Sequence, residues 1–212
     1  MSDTVERFSD RVVNYIKYRP DYPKDVLEVL RSECGLTRET IIADVGCGPG
    51  TSTRMFLENG NRVFGVEPNA AMRSAATQQL ANFPWFIPID GTAEATTLAD
   101  ASVDMVIAAQ AFHWFDPEKT RAEFIRILKP GGHITLMWNE RRLDATPFLI
   151  EYEAFLLKHS RDYVQVRHEN VDKLRLDAFF PEAYKTAVFE NVQDFDFEGL
   201  KGRMLSSSYM PG

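Results

Sequence analysis

Apolar residues in this chain alternate between short unbroken runs and helical spacing. Ile41-Ile42-Ala43-Asp44-Val45 is an apolar run that stops at glycines. Thr51 to Asn59 then follows a helical pattern, and Gly60 is placed to end it, because glycine readily adopts the left-handed turn that closes a helix. Arg62 to Glu67 reads as a second strand. Asn69 can cap a helix that runs through Leu80. Trp85 to Ile89 predicts a third strand, with Pro88 inside it. Val103 to Ala109 predicts a fourth, nearly all apolar as a strand buried on both faces should be. Asp116-Pro117 supplies an N-cap and a first helical residue for a helix that ends before Lys129-Pro130. His133 to Trp138 predicts a fifth strand. Alternation at this spacing predicts the α/β class: a doubly wound, mostly parallel sheet with helices on both faces. Such sheets bind ligands beyond the carboxyl ends of their strands, so the residues just after each strand are the candidates.

Two flanks lack this alternation. The chain divides into an N-terminal helical lid segment (1–35), a core (36–142) and a mostly helical cap (143–212). The first flank is dense in aromatics around Tyr18-Arg19-Pro20-Asp21-Tyr22-Pro23, and Pro23 can open a helix that runs to Gly35. The last flank reads as largely helical to Leu176, with Tyr184 to Phe189 spaced as a sixth strand.

Composition narrows the field. A chain of 212 residues is expected to form one domain with a core of useful size. The net charge of -7 gives no hint of a nucleic-acid partner. Cys34 and Cys47 are too few for a disulfide framework, and no metal is expected. No apolar run approaches the ~20 residues needed to cross a bilayer. A cytoplasmic protein with no membrane partner is the expectation.

The chemistry concentrates at the strand ends. Gly46-Cys47-Gly48-Pro49-Gly50 lies between a strand and a helix, where glycines permit a tight turn and a close backbone approach by a ligand. The helix that follows offers free N–H groups. Glu67 ends the second strand nineteen residues after Gly48, where a carboxylate can accept hydrogen bonds from a ribose diol. Nicotinamide dehydrogenases share both features, but the dinucleotide fingerprint wants a third glycine where this chain has Thr51, one place after Gly50.

Five segments in register carry a resemblance. Asp44 to Gly50, Gly65-Val66-Glu67-Pro68-Asn69, Thr92-Ala93-Glu94, Ser102 to Val106 and Leu128-Lys129-Pro130-Gly131-Gly132 resemble the successive motifs of the class I S-adenosylmethionine-dependent methyltransferases. The likeness spans about residues 40 to 140. Gln110 to Phe115 and Arg19-Pro20-x-Tyr22-Pro23 resemble the small-molecule branch that includes ubiquinone-biosynthesis and trans-aconitate methyltransferases. The resemblance implies a Rossmann-like fold, S-adenosylmethionine as cofactor and S-adenosylhomocysteine as product. It implies that Asp44, Gly46, Cys47, Gly48 and Gly50 face the methionine end, with Asp44 near its amino group. Glu67 would take the ribose hydroxyls, Asn69 and Met72 would flank the adenine, Thr92, Ala93 and Glu94 would meet its edge, and Gln110 would lie under the methionine portion. The family often has aspartate where this chain has Thr92, and a hydroxyl accepts more weakly than a carboxylate. The Asn/Asp-Pro-Pro-Tyr/Phe signature of nucleic-acid amine methylation is absent after the fourth strand, where Gln110-Ala111-Phe112 stands. The family's closing antiparallel strand is not legible before Gly212, so an incomplete sheet edge, open to a second copy, is expected.

The expected function is therefore O- or C-methylation of a small molecule, with a carboxylate among the candidate acceptors. His113 is the candidate base among Phe112, Trp114 and Phe115. Tyr18 and Arg19 are candidates for the cofactor, Arg19 through its carboxylate. Tyr22, Trp114 and Arg141 are candidates for the acceptor, Arg141 because a guanidinium clamps carboxylates. His133 reads as structural, and His159 and His168 carry no signal. Two alternatives stay open. One is a module that binds the cofactor without turnover. The other is a nicotinamide-dependent oxidoreductase, which Gly50 and Thr51 disfavour.

Overall fold

A computed structural model describes residues 12–166, 173–207 and 209–210, so His168 lies outside the described residues. Two helices come first, α1 (Val12–Tyr18) and α2 (Asp25–Cys34). Then β1 (Ile41–Val45), α3 (Thr51–Asn59), β2 (Arg62–Val66), α4 (Ala70–Gln79) and β3 (Phe86–Ile89) alternate. β4 (Val103–Ala109), α5 (Pro117–Ile127) and β5 (Leu128–Met137) complete the core. Four helices follow: α6 (Pro147–His159), α7 (Tyr163–Val166), α8 (Lys173–Phe179) and α9 (Phe197–Leu205).

The strands form one sheet in the order β3-β2-β1-β4-β5, and every pair in it is parallel. The order reverses between β1 and β4, which puts the switch point beside Asp44, whose register partners are Gly65 and Ile107. No antiparallel strand stands among the described residues, so the sheet is wholly parallel.

Alternate residues of the central strands feed two cores. Ile42, Val63, Met105 and Ile107 pack with Leu27 and Leu30 of α2 and Phe56 of α3. Ala43, Val45, Val66 and Val106 pack on the other face with Phe124 of α5 and Phe179 of α8. Phe56, Phe112, Phe124 and Phe179 are fully buried, each contributing about 1.5–3 kcal/mol of transfer free energy. Pro88 is tolerated because β3 is an edge strand, where its missing N–H breaks no ladder.

Two expectations need correction. β5 begins at Leu128, not His133, because Lys129-Pro130-Gly131-Gly132 runs on as extended chain with a register irregularity against β4. Tyr184 to Phe189 forms no strand; Val188 is almost wholly exposed, and the segment gains no ladder, with Phe189 alone packing against the first core. None of the described helices is long and apolar enough to cross a membrane.

Candidate functional site

The turn after β1 has three glycines in the left-handed region, with φ of 72° at Gly46, 55° at Gly48 and 93° at Gly50. Their reasons differ. A Cβ at Gly46 would lie 2.6 Å from the Ala111 Cβ, and one at Gly50 would lie 2.7 Å from Leu80 Cδ1. Both are fixed by packing. A Cβ at Gly48 would meet nothing within 4 Å, so this backbone faces open space. The turn is held by the Gly46 and Cys47 N–H groups, which donate to the Val66 carbonyl at 2.8 and 3.2 Å.

Glu67 stands where β2 ends and is bonded to this turn. Its Oε2 accepts from Gly48 N at 2.9 Å and its Oε1 from Asn69 N at 2.9 Å. Burial raises its carboxyl above the usual range, against the pull of those N–H groups and of Arg73. Arg73 also donates to the Glu67 carbonyl at 2.6 Å, so the acid's backbone is fixed too. Each carboxylate oxygen has a second lone pair, which leaves capacity for a diol.

Asp44 is fully buried near the end of β1. Its Oδ2 accepts from Ser52 Oγ and Thr53 Oγ1, each at 2.7 Å, from the first turn of α3. Its Oδ1 is buried with no partner. Lost hydration pushes its carboxyl up to about 6, and the two hydroxyls offset this only in part.

Between the turn and the N-terminal segment lies a cleft. Gly46, Cys47, Thr51 and Ser52 line one side, and Ala109 and Gln110 from the end of β4 line the floor. Tyr15, Arg19, Pro20 and Tyr22 cover it, with Asn139 after β5 and Arg203 of α9. Gln110 adopts φ of 55°, rare for a residue with a Cβ, and strain of this kind gathers at ligand sites. The ladder holds it there: Gln110 N donates to the Met137 carbonyl at 2.9 Å, and its Nε2 donates to the Asn139 carbonyl at 3.0 Å. Burial pushes the Tyr22 hydroxyl well above its usual range and keeps it protonated. Cys47 is buried, and desolvation pushes its thiol up, so it is a small packing residue and no nucleophile.

The other predicted residues fall in three places. Asn69 and Met72 are buried beside Glu67, with Asn69 Oδ1 accepting from Met72 N at 3.0 Å as the cap of α4. Thr92 forms a narrow bridge with Ala95, Ala93 is buried, and Glu94 accepts from Asp116 N at 3.0 Å. His113 and Trp114 share a short 3₁₀ turn with their rings 4.9 Å apart, and neither is among the residues that line the cleft. Tyr18 also lies outside that lining; its ring packs against Gly202 of α9. Arg141 forms an ion pair with Glu153 and donates to the Tyr163 hydroxyl at 3.1 Å, so its charge is engaged within the cap. Among the described residues no group of three or more His, Cys, Asp or Glu could hold a metal.

Sequence reasoning missed Arg203, Tyr15, Ser52 and Thr53 as site residues. The two hydroxyls had a signal, since they stand in the first turn of the helix that follows Asp44 and the glycine turn. Arg203 had none, because only the docking of α9 brings it to the cleft.

Comparison with known proteins agrees with this geometry. A methyltransferase-domain family profile matches residues 43–136. An uncharacterised methyltransferase of Mycobacterium bovis is 36% identical over 134 residues, which are 63% of this chain and 52% of that one. An uncharacterised methyltransferase of Schizosaccharomyces pombe is 30% identical over 202 residues, 95% of this chain and 78% of that one. A solved structure from Anaeromyxobacter dehalogenans, a candidate type II methyltransferase, is 31% identical with a TM-score of 0.52, over 67% of this chain and 57% of that one. A candidate S-adenosyl-L-methionine-dependent methyltransferase of Methanococcus maripaludis shares the fold at 16% identity, with a TM-score of 0.59 over 85% of this chain and 80% of that one. The chain thus spans about half the length of the mycobacterial relative, and most of the fission-yeast one. With the parallel sheet, the glycine turn at its switch point and the acid at the end of β2, these matches show that the chain belongs to the class I S-adenosylmethionine-dependent methyltransferase family.

Proposed function

We propose that the cleft binds S-adenosylmethionine and that the chain directs its methyl group to a small-molecule acceptor. The observation that carries this reading is Asp44 Oδ1, a buried carboxylate oxygen without a partner beside the glycine turn. An ammonium group is the natural complement of such an oxygen, and the methionine end of the cofactor carries one. Gly48 leaves room for the ligand along the turn, and Glu67 has free lone pairs for the ribose diol. The residues therefore fit the group.

When bound, S-adenosylmethionine supplies a methyl carbon made electrophilic by a sulfonium. An acceptor's lone pair would take that carbon, and the sulfur would leave with the bonding pair. The chain's task is to align the two reactants and exclude water. Gln110, held at a fixed φ under the cleft, positions; the N-terminal tyrosines cover. A base is required only where the acceptor must lose a proton. His113 does not line the cleft, which favours an acceptor that is already a nucleophile at neutral pH.

Calorimetry with S-adenosylmethionine, S-adenosylhomocysteine and NAD tests the cofactor. Binding of the first two and not of NAD is expected, and binding of NAD alone would sink the reading. Mass spectrometry of a metabolite pool incubated with methyl-labelled cofactor tests turnover. Intact binding with persistent absence of a labelled product would favour a cofactor-binding module.

A further inference from the structure

The cleft contains two guanidinium groups, Arg19 and Arg203, and no carboxylate among the residues that line it. This reverses the sign of a chain whose net charge is -7. The two groups converge on one neutral hydroxyl: Arg19 Nη2 lies 3.4 Å from Ser207 Oγ, and Arg203 Nη1 lies 3.4 Å from the same atom. Arg19 also donates to the Ser206 carbonyl at 3.2 Å and stacks on the Tyr15 ring at 4.8 Å, yet its Nε is buried with no partner. Among the described residues neither guanidinium has a carboxylate partner. Burial, with Arg19 as the nearest like charge, pulls Arg203 down to about 10, while Tyr209, Tyr152 and Tyr15 work the other way. Two like charges half-buried side by side with a hydroxyl between them cost free energy until an anion arrives.

The cofactor of the reading above cannot balance both. It brings one carboxylate, but also an ammonium and a sulfonium, so its net charge is positive. One guanidinium can pair with that carboxylate; the other calls for a second anion. Arg19 stands in the N-terminal segment next to Pro20 and Tyr22. Arg203 stands on α9, where Tyr152 and Tyr209 of the cap are close enough to act on its charge.

We propose that Arg203 is an acceptor-binding residue whose guanidinium, with Arg19 beside it, takes a carboxylate of the methyl acceptor, so that the acceptor is a small organic acid. This rests on the reading of the cleft as an S-adenosylmethionine site. A guanidinium fork matches a carboxylate with two parallel N–H donors, which also fixes the acceptor's orientation for in-line attack. A further positive charge near the sulfonium is tolerable only if the acceptor arrives with a negative one.

The test uses the chain saturated with S-adenosylhomocysteine and titrated with succinate, glutarate and citrate, against succinamide and glutaramide as neutral counterparts. The diacids should bind at least about tenfold more tightly than the diamides, the value of one charge-assisted hydrogen bond. Arg203→Met should lose that preference while keeping S-adenosylhomocysteine affinity within about threefold, and Arg203→Lys should keep part of it. Equal binding of acids and amides, or binding of neither, overturns the proposal. So does an Arg203→Met variant that loses S-adenosylhomocysteine but retains 5′-methylthioadenosine, which has no carboxylate, because Arg203 would then serve the cofactor. The acid-to-amide ratio is read on the unaltered chain, so a variant that fails to fold does not remove the test. If the unaltered chain binds no S-adenosylhomocysteine, the cofactor reading fails first, and visibly apart from this one.

Discussion

Asp44 is a single residue whose environment sets a pH dependence for the whole site. Its folded pKa of about 6 lies above that of an exposed aspartate because burial strips its hydration. The native state therefore holds more protons than the unfolded chain between about pH 4 and pH 6, and this group's contribution to stability falls as pH rises through that window. Ligand binding has the opposite sign. An ammonium beside Oδ1 prefers the ionised carboxylate, and an α-amino group stays protonated below about pH 7.7. Affinity for S-adenosylhomocysteine should then rise about tenfold from pH 5 to pH 7, with a proton released on binding near pH 6. Asp44→Asn should bind weakly and lose the slope. Calorimetry in buffers of different ionisation enthalpy measures both; a flat profile in the unaltered chain would remove Asp44 from the ligand.

At the scale of elements, the connection from β3 to β4 carries Thr92, Ala93 and Glu94, and one acid on α5 secures it. Glu123 Oε1 accepts from Thr96 N at 2.7 Å and from Thr96 Oγ1 at 2.6 Å, while Oε2 accepts from Arg126 Nε at 2.8 Å. Arg126 first, then Thr96, holds its carboxyl down at about 2. Its depressed pKa means that the stabilisation is fully present above about pH 4.5 and is lost as pH falls toward 2. Glu123→Ala leaves the buried Thr96 N–H without an acceptor and should cost about 2–3 kcal/mol in urea unfolding at neutral pH. Glu123→Gln keeps one acceptor oxygen and should cost less; equal losses would mean that packing, not acceptance, is what matters. The elements themselves were largely legible, because their signals are local. Asn69 and Asp116 accept from Met72 N and Lys119 N as caps, and Gly60 turns left-handed at φ of 100°. The site was legible to the extent that it rides on strand ends: Asp44, Gly48, Glu67 and Gln110 follow from order along the chain. Tyr184 to Phe189 misled because a strand needs a partner strand, and this segment has none. Arg203 and Tyr15 could not be seen, since they reach the cleft only by the packing of distant segments.

That packing is a property of the whole molecule. The two flanks of the core meet over the carboxyl edge of the sheet. Asn139 donates to the Pro20 and Asp21 carbonyls at 3.4 Å, Asn191 to the Asp21 carbonyl at 2.8 Å and Gln193 to the Tyr18 carbonyl at 3.3 Å. These are long or exposed bonds, and each is worth little in water. The closer fit is Gly202 of α9 against Tyr18 of α1, where an added Cβ would fall inside the tyrosine ring. The sheet does not depend on this contact, because both of its cores draw on other residues. Gly202→Val should therefore part the flanks and leave the core folded. Arg19 and Arg203 would move apart with them, so the cover over the cleft would be lost along with the charge pair. We expect far-UV circular dichroism close to that of the unaltered chain, faster tryptic cleavage at Lys17 and Lys24, and S-adenosylhomocysteine affinity about tenfold weaker, since a ligand that must first order its own cover binds in proportion to the closed fraction. If cleavage quickens while affinity holds, the flanks serve the acceptor alone, and the cofactor is held by the sheet edge without them.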